Sequence, residues 1–483
     1  MAGGILAETL PAQALQFAYL IAGILFIQGL RDMTHPRTAT RGNMISSAGM
    51  FLAVVVTVLW FEILSPVILG AGLLVGGAVG GYLAVSVETT EMPQLVGLFN
   101  GFGGGASAVV AGAELIDVLA SGGSLGVGLT STAAIAGIIG SVTFSGSLVA
   151  AGKLHGVVGE SPFEATTGHV VKAVFLAVAV LAGLALVVQP SLFGSMPMAE
   201  WVPTYWVVVA AALLLGVFLV ISIGGADMPV VIALLNSYSG LAAATTGFVL
   251  DNTVLIVAGT LVGASGMILT VIMCDSMNRS LTNVLFGGLG TDDGDGADME
   301  DIYEGQITET SPEEVTMLLE TAERVVIVPG YGMAVAQAQH AVAELVDLLD
   351  ENGVDVEFGI HPVAGRMPGH MNALLAEADV SYEKMRELEE VNPTFNQTDL
   401  VIVTGANDVV NPRANEDDDS PIAGMPILNV EQARHVVVNK RSLSPGFSGI
   451  ANPLFARDNT SMLFGDAKQS MQDLVNEYKE STS

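Results

Sequence analysis

Apolar residues fill most of the first 280 positions, in runs long enough to cross a bilayer when tilt is allowed. They can be read at Ala14–Leu30, Met44–Phe61, Pro66–Val87, Gln94–Ala113, Leu129–Ala151, Ala173–Val188, Val202–Ile223, Met228–Leu250 and Val254–Cys274. Glycine recurs inside them, as in Gly76-Gly-Ala-Val-Gly-Gly81 and Gly101-Phe-Gly-Gly-Gly105, which suits helices packed closely in lipid. The pattern then changes. An acidic, glycine-containing stretch from Gly287 leads into short apolar strands alternating with helices. Strands are expected at Arg324–Val328, Val354–Gly359, Leu400–Thr404, Ile427–Val430 and His435–Asn439. Helices are expected at Met333–Leu349, Met371–Ala378, Tyr382–Glu390 and Ala467–Lys479. That alternation implies a doubly wound parallel sheet. The fold class is therefore a membrane bundle of about nine helices followed by a Rossmann-like α/β domain. The boundaries read as 1–286 for the membrane part, 287–312 for the linker and 313–483 for the soluble part.

Charge sharpens this division. Residues 1–290 hold 13 acids and 6 bases, whereas residues 291–483 hold 36 acids and 11 bases. An excess of 25 negative charges on residues 291–483 argues against nucleic acid as a partner. It also fits a halophilic source, because concentrated salt screens self-repulsion. The six bases of the membrane part are Arg31, Arg37, Arg41, Lys153, Lys172 and Arg279. With nine spans, all six fall on one face, which the positive-inside rule makes cytoplasmic. The N-terminus is then outside and the soluble domain inside. No cationic region precedes the first span, so it reads as a retained helix rather than a signal peptide. The single cysteine, Cys274, excludes an intrachain disulfide and any multi-cysteine metal site.

The strongest chemical signal is Arg324-Val-Val-Ile-Val-Pro329 running into Gly330-Tyr-Gly-Met-Ala-Val335. A strand that ends in a glycine turn and opens a helix can present free N–H groups to a nucleotide's phosphates. Gly330, Tyr331, Gly332, Met333 and Val335 are thus candidates for cofactor contact, although Val335 departs from the usual Gly or Ala of the dinucleotide fingerprint. The second strand ends Phe358-Gly-Ile-His361 with no acid at its tip to hold a ribose 2′-hydroxyl. Lys440-Arg441-Ser442 follows a later strand instead, and two cations with a hydroxyl suit a 2′-phosphate, hence NADP. Asn407 and Asp408 lie at another carboxyl edge, where ligands bind in such sheets. Arg366 is placed to meet the pyrophosphate, with His361 and His370 holding its loop rather than binding metal. Within the membrane part, Asp227, Asn100 and Asn236 are the polar groups to account for. Such amides either bridge helices or hold water for a proton path.

Together these motifs resemble the beta subunit of proton-translocating NAD(P) transhydrogenase. The likeness runs from Val87-Glu-Thr-Thr-Glu-Met-Pro93 through Gly224–Gly240 to Gly465-Asp-Ala-Lys468. Its most specific stretches are Gly330–Gln339, Gly359–Gly369, Gly405–Asp408, Ile422–Pro426 and Lys440–Ser442. The resemblance implies hydride exchange between NAD(H) and NADP(H) coupled to proton flow, with NADP(H) on this chain and NAD(H) on a separate alpha subunit or alpha-type chains. It implies a homodimer of the assembled complex in the cell membrane. Gly330, Gly332 and Val335 would line the nucleotide, Arg366 and Asp408 contact it, and Lys440, Arg441 and Ser442 hold the 2′-phosphate. Asp227 and Asn236 fall on positions tied to proton translocation. Two departures stand out: Asn100 replaces a frequent intramembrane His, and Phe447 a frequent Tyr beside the cofactor. No residue need act as acid or base in the hydride step, since hydride passes directly between nicotinamides. The rival reading is a channel or transporter with an NADP-sensing domain, against which stands the lack of a Thr-Val-Gly-Tyr-Gly filter.

Overall fold

A computed structural model describes residues 12–34, 36–60, 66–123, 125–159, 165–193, 198–286, 303, 307–367, 369–418, 420–446 and 448–482. Most of the linker and Phe447 lie outside the described residues. Among the described residues, nine helices are long and apolar enough to cross a membrane. They are α1 (Ala12–Met33), α2 (Pro36–Trp60), α3 (Pro66–Ser86), α4 (Met92–Ala120), α5 (Val127–Leu154), α6 (Ala165–Phe193), α7 (Met198–Ile221), α8 (Met228–Val249) and α9 (Thr253–Ser276). By contacts the chain falls into two compact units, 1–222 with 231–269, and 223–230 with 270–483.

In the first unit, small residues decide how closely helices pack. A Cβ on Gly104 of α4 would come within 2.7 Å of the Gly140 carbonyl oxygen of α5. On Gly266 of α9 it would meet the Ser237 nitrogen of α8 at the same distance. Polar groups at these crossings bond to backbone rather than to lipid. Ser237 donates to the Gly263 carbonyl (2.7 Å), Tyr205 to that of Ala108 (2.6 Å) and Ser145 to that of Leu213 (2.7 Å). In hydrocarbon an unmade bond is costly, so each hydroxyl fixes a helix pair.

The second unit holds a six-stranded, wholly parallel sheet: β1 (Arg324–Pro329), β2 (Asp355–Ile360), β3 (Met385–Glu387), β4 (Leu400–Thr404), β5 (His435–Lys440) and β6 (Thr460–Phe464). Their spatial order is β3-β2-β1-β4-β5-β6. The central strands are runs of Val, Ile and Leu because both faces of the sheet are covered. On one face Val325, Ile327, Phe358 and Val437 pack with α10 (Pro312–Thr321), α12 (Gln339–Glu351) and α14 (Ala467–Thr482). On the other, Val326, Val328, Val401 and Val403 pack with Phe395, Leu454 and Phe455. Between β1 and α12 lies the five-residue helix α11 (Tyr331–Val335), and α13 (His370–Glu377) follows β2.

Three expectations are corrected. The helix expected over Met333–Leu349 is broken into α11 and α12, with Gln337 between them at φ 53. The apolar run Ile427–Val430 is a buried connection, Leu428 donating to the Val409 carbonyl (2.9 Å), because β4 is flanked by β1 and β5. The helix expected over Tyr382–Glu390 gives way to the short edge strand β3, where Arg386 pairs with Glu357 of β2 (2.8 Å).

Candidate functional site

The strand order reverses direction between β1 and β4, so the loops that follow them diverge and leave a crevice at their carboxyl ends. A cavity of about 620 Å³ occupies it, within the range of cofactor pockets. Gly330, Tyr331, Gly332 and Val335 from the first turn, Arg366, Asn407 and Asp408, and Lys440, Arg441 and Ser442 all line it. Met333 does not. Its side chain is fully buried in the core, and its N–H donates to the Gly330 carbonyl (3.0 Å).

The glycines work differently from the sequence expectation. The Gly330 N–H donates to the Thr404 carbonyl (2.9 Å) and that of Gly332 to the Gly405 carbonyl (2.8 Å). These two groups therefore tie the β1 turn to the β4 turn instead of facing a ligand. A Cβ on Gly332 would lie 2.7 Å from the Gly405 Cα, and Gly405 has φ +68. Backbone proximity, not free N–H groups, is what these glycines allow.

Cationic side chains take the remaining work. The Arg366 guanidinium lies 4.4 Å from the Tyr331 ring centroid, a cation–π contact at the mouth of the turn. Its loop is hung between the two histidines. His361 Nε2 lies 2.6 Å from the Pro426 carbonyl while its Nδ1 accepts from Val363; His370 Nδ1 accepts the Arg366 N–H (3.0 Å). Burial holds both imidazoles down to about 4, so both are neutral at ordinary pH.

Lys440, which also lines the cavity, donates to the Ser444 carbonyl (2.7 Å). In the amide orientation that satisfies its neighbours, the Asn407 side-chain oxygen accepts from Lys440 Nζ (2.9 Å) and from the Gly446 N–H (2.7 Å). Burial pushes the Lys440 ammonium down to about 8, with the Asp408 carboxylate pulling the other way. Asp408 is itself held by the Ser448 N–H (3.0 Å) and hydroxyl (2.6 Å). Arg441 and Ser442 are exposed, Ser442 donating to the Ser444 hydroxyl (2.9 Å). A cavity of this volume, lined by a half-buried ammonium, an exposed guanidinium and hydroxyls on neighbouring residues, fits a phosphorylated cofactor. Ser444, Gly446 and Ser448 were missed in the sequence, where only their Ser-Pro-Gly turn composition marked them. Asp466 was missed because β6 was not recognised.

Gly225, Pro229, Met277 and Arg279, from the same unit, also line the cavity. Asp227, almost fully buried, pairs with Arg279 (3.3 Å). In the first unit Asn100 is also buried. It donates to the Ile232 carbonyl of α8 (3.4 Å), the group that in helical register accepts the N–H of Asn236. Asn100 thus meets backbone one turn from Asn236, not its side chain.

The model of the NAD(P) transhydrogenase beta subunit matches residues 15–477. The chain belongs to that family. Two curated relatives from Rhodospirillum rubrum, each named NAD(P) transhydrogenase subunit beta, are 45% identical over 462 residues, 95% of this chain and 97% of theirs. A transhydrogenase beta subunit is part of a membrane oxidoreductase, in keeping with the nine spanning-length helices among the described residues and the parallel-sheet domain that follows them. The channel reading finds no support in these likenesses.

Proposed function

We propose that this beta subunit holds NADP(H) in the β1/β4 crevice and exchanges hydride with NAD(H) held by an alpha subunit, coupling the exchange to proton movement across the cell membrane. What carries this reading is the recessed Lys440 beside Arg441 and Ser442 in a domain otherwise depleted of bases. When bound, NADP(H) supplies the hydride. The chain supplies orientation and electrostatics: Lys440, Arg441 and Ser442 grip the 2′-phosphate, Arg366 meets the pyrophosphate, and Tyr331, Asn407, Asp408 and Val335 bound the rest. Met333 contributes through the turn that it anchors. Gly330 and Gly332 let the backbone close up behind the cofactor. No side chain here needs to move a proton in the hydride step.

The proposed division is a proton-translocating part (1–286), a linker (287–312) and the cofactor domain (313–483). Asn100, Asp227 and Asn236 serve the proton path or its coupling. The N-terminus is outside, the cofactor domain is cytoplasmic, and two assembled complexes form a homodimer. Titrating the full chain with NADPH and NADH tests the cofactor assignment. Each charge-assisted contact to phosphate is worth about 1.5–3 kcal/mol. Lys440→Ala with Arg441→Ala is therefore expected to erase most of an NADPH preference. Equal affinity of the unmodified chain for the two cofactors would overturn it.

A further inference from the structure

The chain enters the cofactor domain along the outer edge of β6, where Met462 donates to the Thr308 carbonyl (2.8 Å) and Thr310 to that of Met462 (3.0 Å). Just upstream, Tyr303 is half-buried against the core face that carries Phe455. Its hydroxyl accepts the Asn452 N–H (2.8 Å) and donates to the Asn452 carbonyl (3.4 Å). Its ring stacks on Phe455, centroids 6.3 Å apart and planes 21° from parallel.

Both partners are fully buried, and both lead to the cavity. The Lys440 ammonium lies 5.2 Å from the Phe455 ring centroid. The Asn452 side-chain amide donates to the Asn407 carbonyl (3.1 Å), and Asn407 in turn accepts from Lys440 through its side-chain oxygen. Two separate routes, one aromatic and one through amides, thus join a linker side chain to one ammonium. Networks of this kind hold each member more tightly than isolated pairs do.

We propose that Tyr303 is a positioning residue for the 2′-phosphate grip, setting Lys440 through Phe455 and through the Asn452–Asn407 bond. Tyr303 is then part of what selects the phosphorylated cofactor, and a displacement of its side chain reaches Lys440. This rests on the crevice being the NADP(H) site. A tyrosine that merely pinned the chain to the domain would affect both cofactors alike, because only the 2′-phosphate distinguishes them.

The test titrates the full-length chain and its variants with NADPH and with NADH. Tyr303→Ala is expected to weaken NADPH about tenfold, of the order of one lost buried bond, and to leave NADH unchanged. Tyr303→Phe keeps the stacked ring, loses the hydroxyl and should fall between; it carries the test if the alanine variant does not fold. Unchanged preference in folded variants, or equal weakening of both cofactors, overturns the role of Tyr303 alone. A wild-type chain with no NADPH preference overturns the site assignment and this proposal with it.

Discussion

Lys440 shows how one residue's surroundings become a pH dependence. Its ammonium is charged below about 8 in the folded chain and below the usual 10.5 in the unfolded one. Between those values the unfolded chain binds more protons, so the stability of the ligand-free domain should rise with pH across that window. Binding has the opposite sign. A phosphate favours the charged amine, so NADPH affinity should be greatest below about pH 8 and fall above it, while NADH affinity stays flat. Titrations from about pH 7 to 9.5 check this, and parallel declines for both cofactors would remove Lys440 from the phosphate grip. His370 offers a second residue-scale test. His370→Leu strands the Arg366 N–H, at a cost of about 1–3 kcal/mol, read as a lower melting temperature and weaker NADPH binding. His370→Asn can put a carbonyl oxygen near the lost Nδ1 and should recover part of both. If Leu and Asn variants behave alike, the bond to Arg366 is not what His370 contributes.

At the scale of elements, the β1 and β4 turns stand or fall together. Gly405→Ala adds a left-handed backbone penalty of about 1–2 kcal/mol and drives a Cβ into the backbone of the β1 turn. Gly353, at φ +83 with open space around it, supplies the control. Gly353→Ala should incur only the backbone penalty, so the larger loss of melting temperature should fall on Gly405→Ala, together with NADPH binding. Equal losses would mean that the two turns do not need their close approach. This same packing explains what the sequence made legible. β1, β4 and β5 were readable because strands covered on both faces are unbroken Val/Ile/Leu runs. The edge strands were not: Met385-Arg-Glu387 and Thr460-Ser-Met-Leu-Phe464 are short and partly polar, and only their neighbours make them strands. Of the site, the residues with a distinctive charge or glycine pattern were visible. What stayed hidden were long-range bonds, such as Gly332 to Gly405 and Ser448 to Asp408, which no local pattern encodes.

The whole molecule carries a formal net charge of −32, of which −25 lies on residues 291–483, the parallel-sheet domain and the acidic stretch before it. Screening shortens from about 10 Å at 0.1 M salt to about 3 Å at 1 M, so self-repulsion there should relax steeply. The domain's unfolding temperature is expected to climb by several degrees, about 2–4 °C per kcal/mol, between those salts. A melting temperature that does not move between those salts would show that the acids are already compensated. The coupling of the two activities belongs to this scale as well. Asp227 is buried against Arg279, and Arg279 lines the cavity at the β1/β4 crevice. If Asp227 links proton binding to the cofactor site, the two binding equilibria must act on each other by the same factor, since equilibrium coupling is reciprocal. Asp227→Asn in the complete complex should then lower proton movement per hydride and change NADP(H) affinity together. Arg279→Gln should do the same, and the double variant should be little worse than either single one, because both changes break one pair. A purely structural ion pair predicts something else: a lower melting temperature with full proton movement per hydride in whatever protein remains folded. Sealed vesicles reporting proton uptake during reduction of an NAD analogue by NADPH separate the two. Normal stoichiometry in folded Asp227→Asn complexes would leave Asp227 a structural role only.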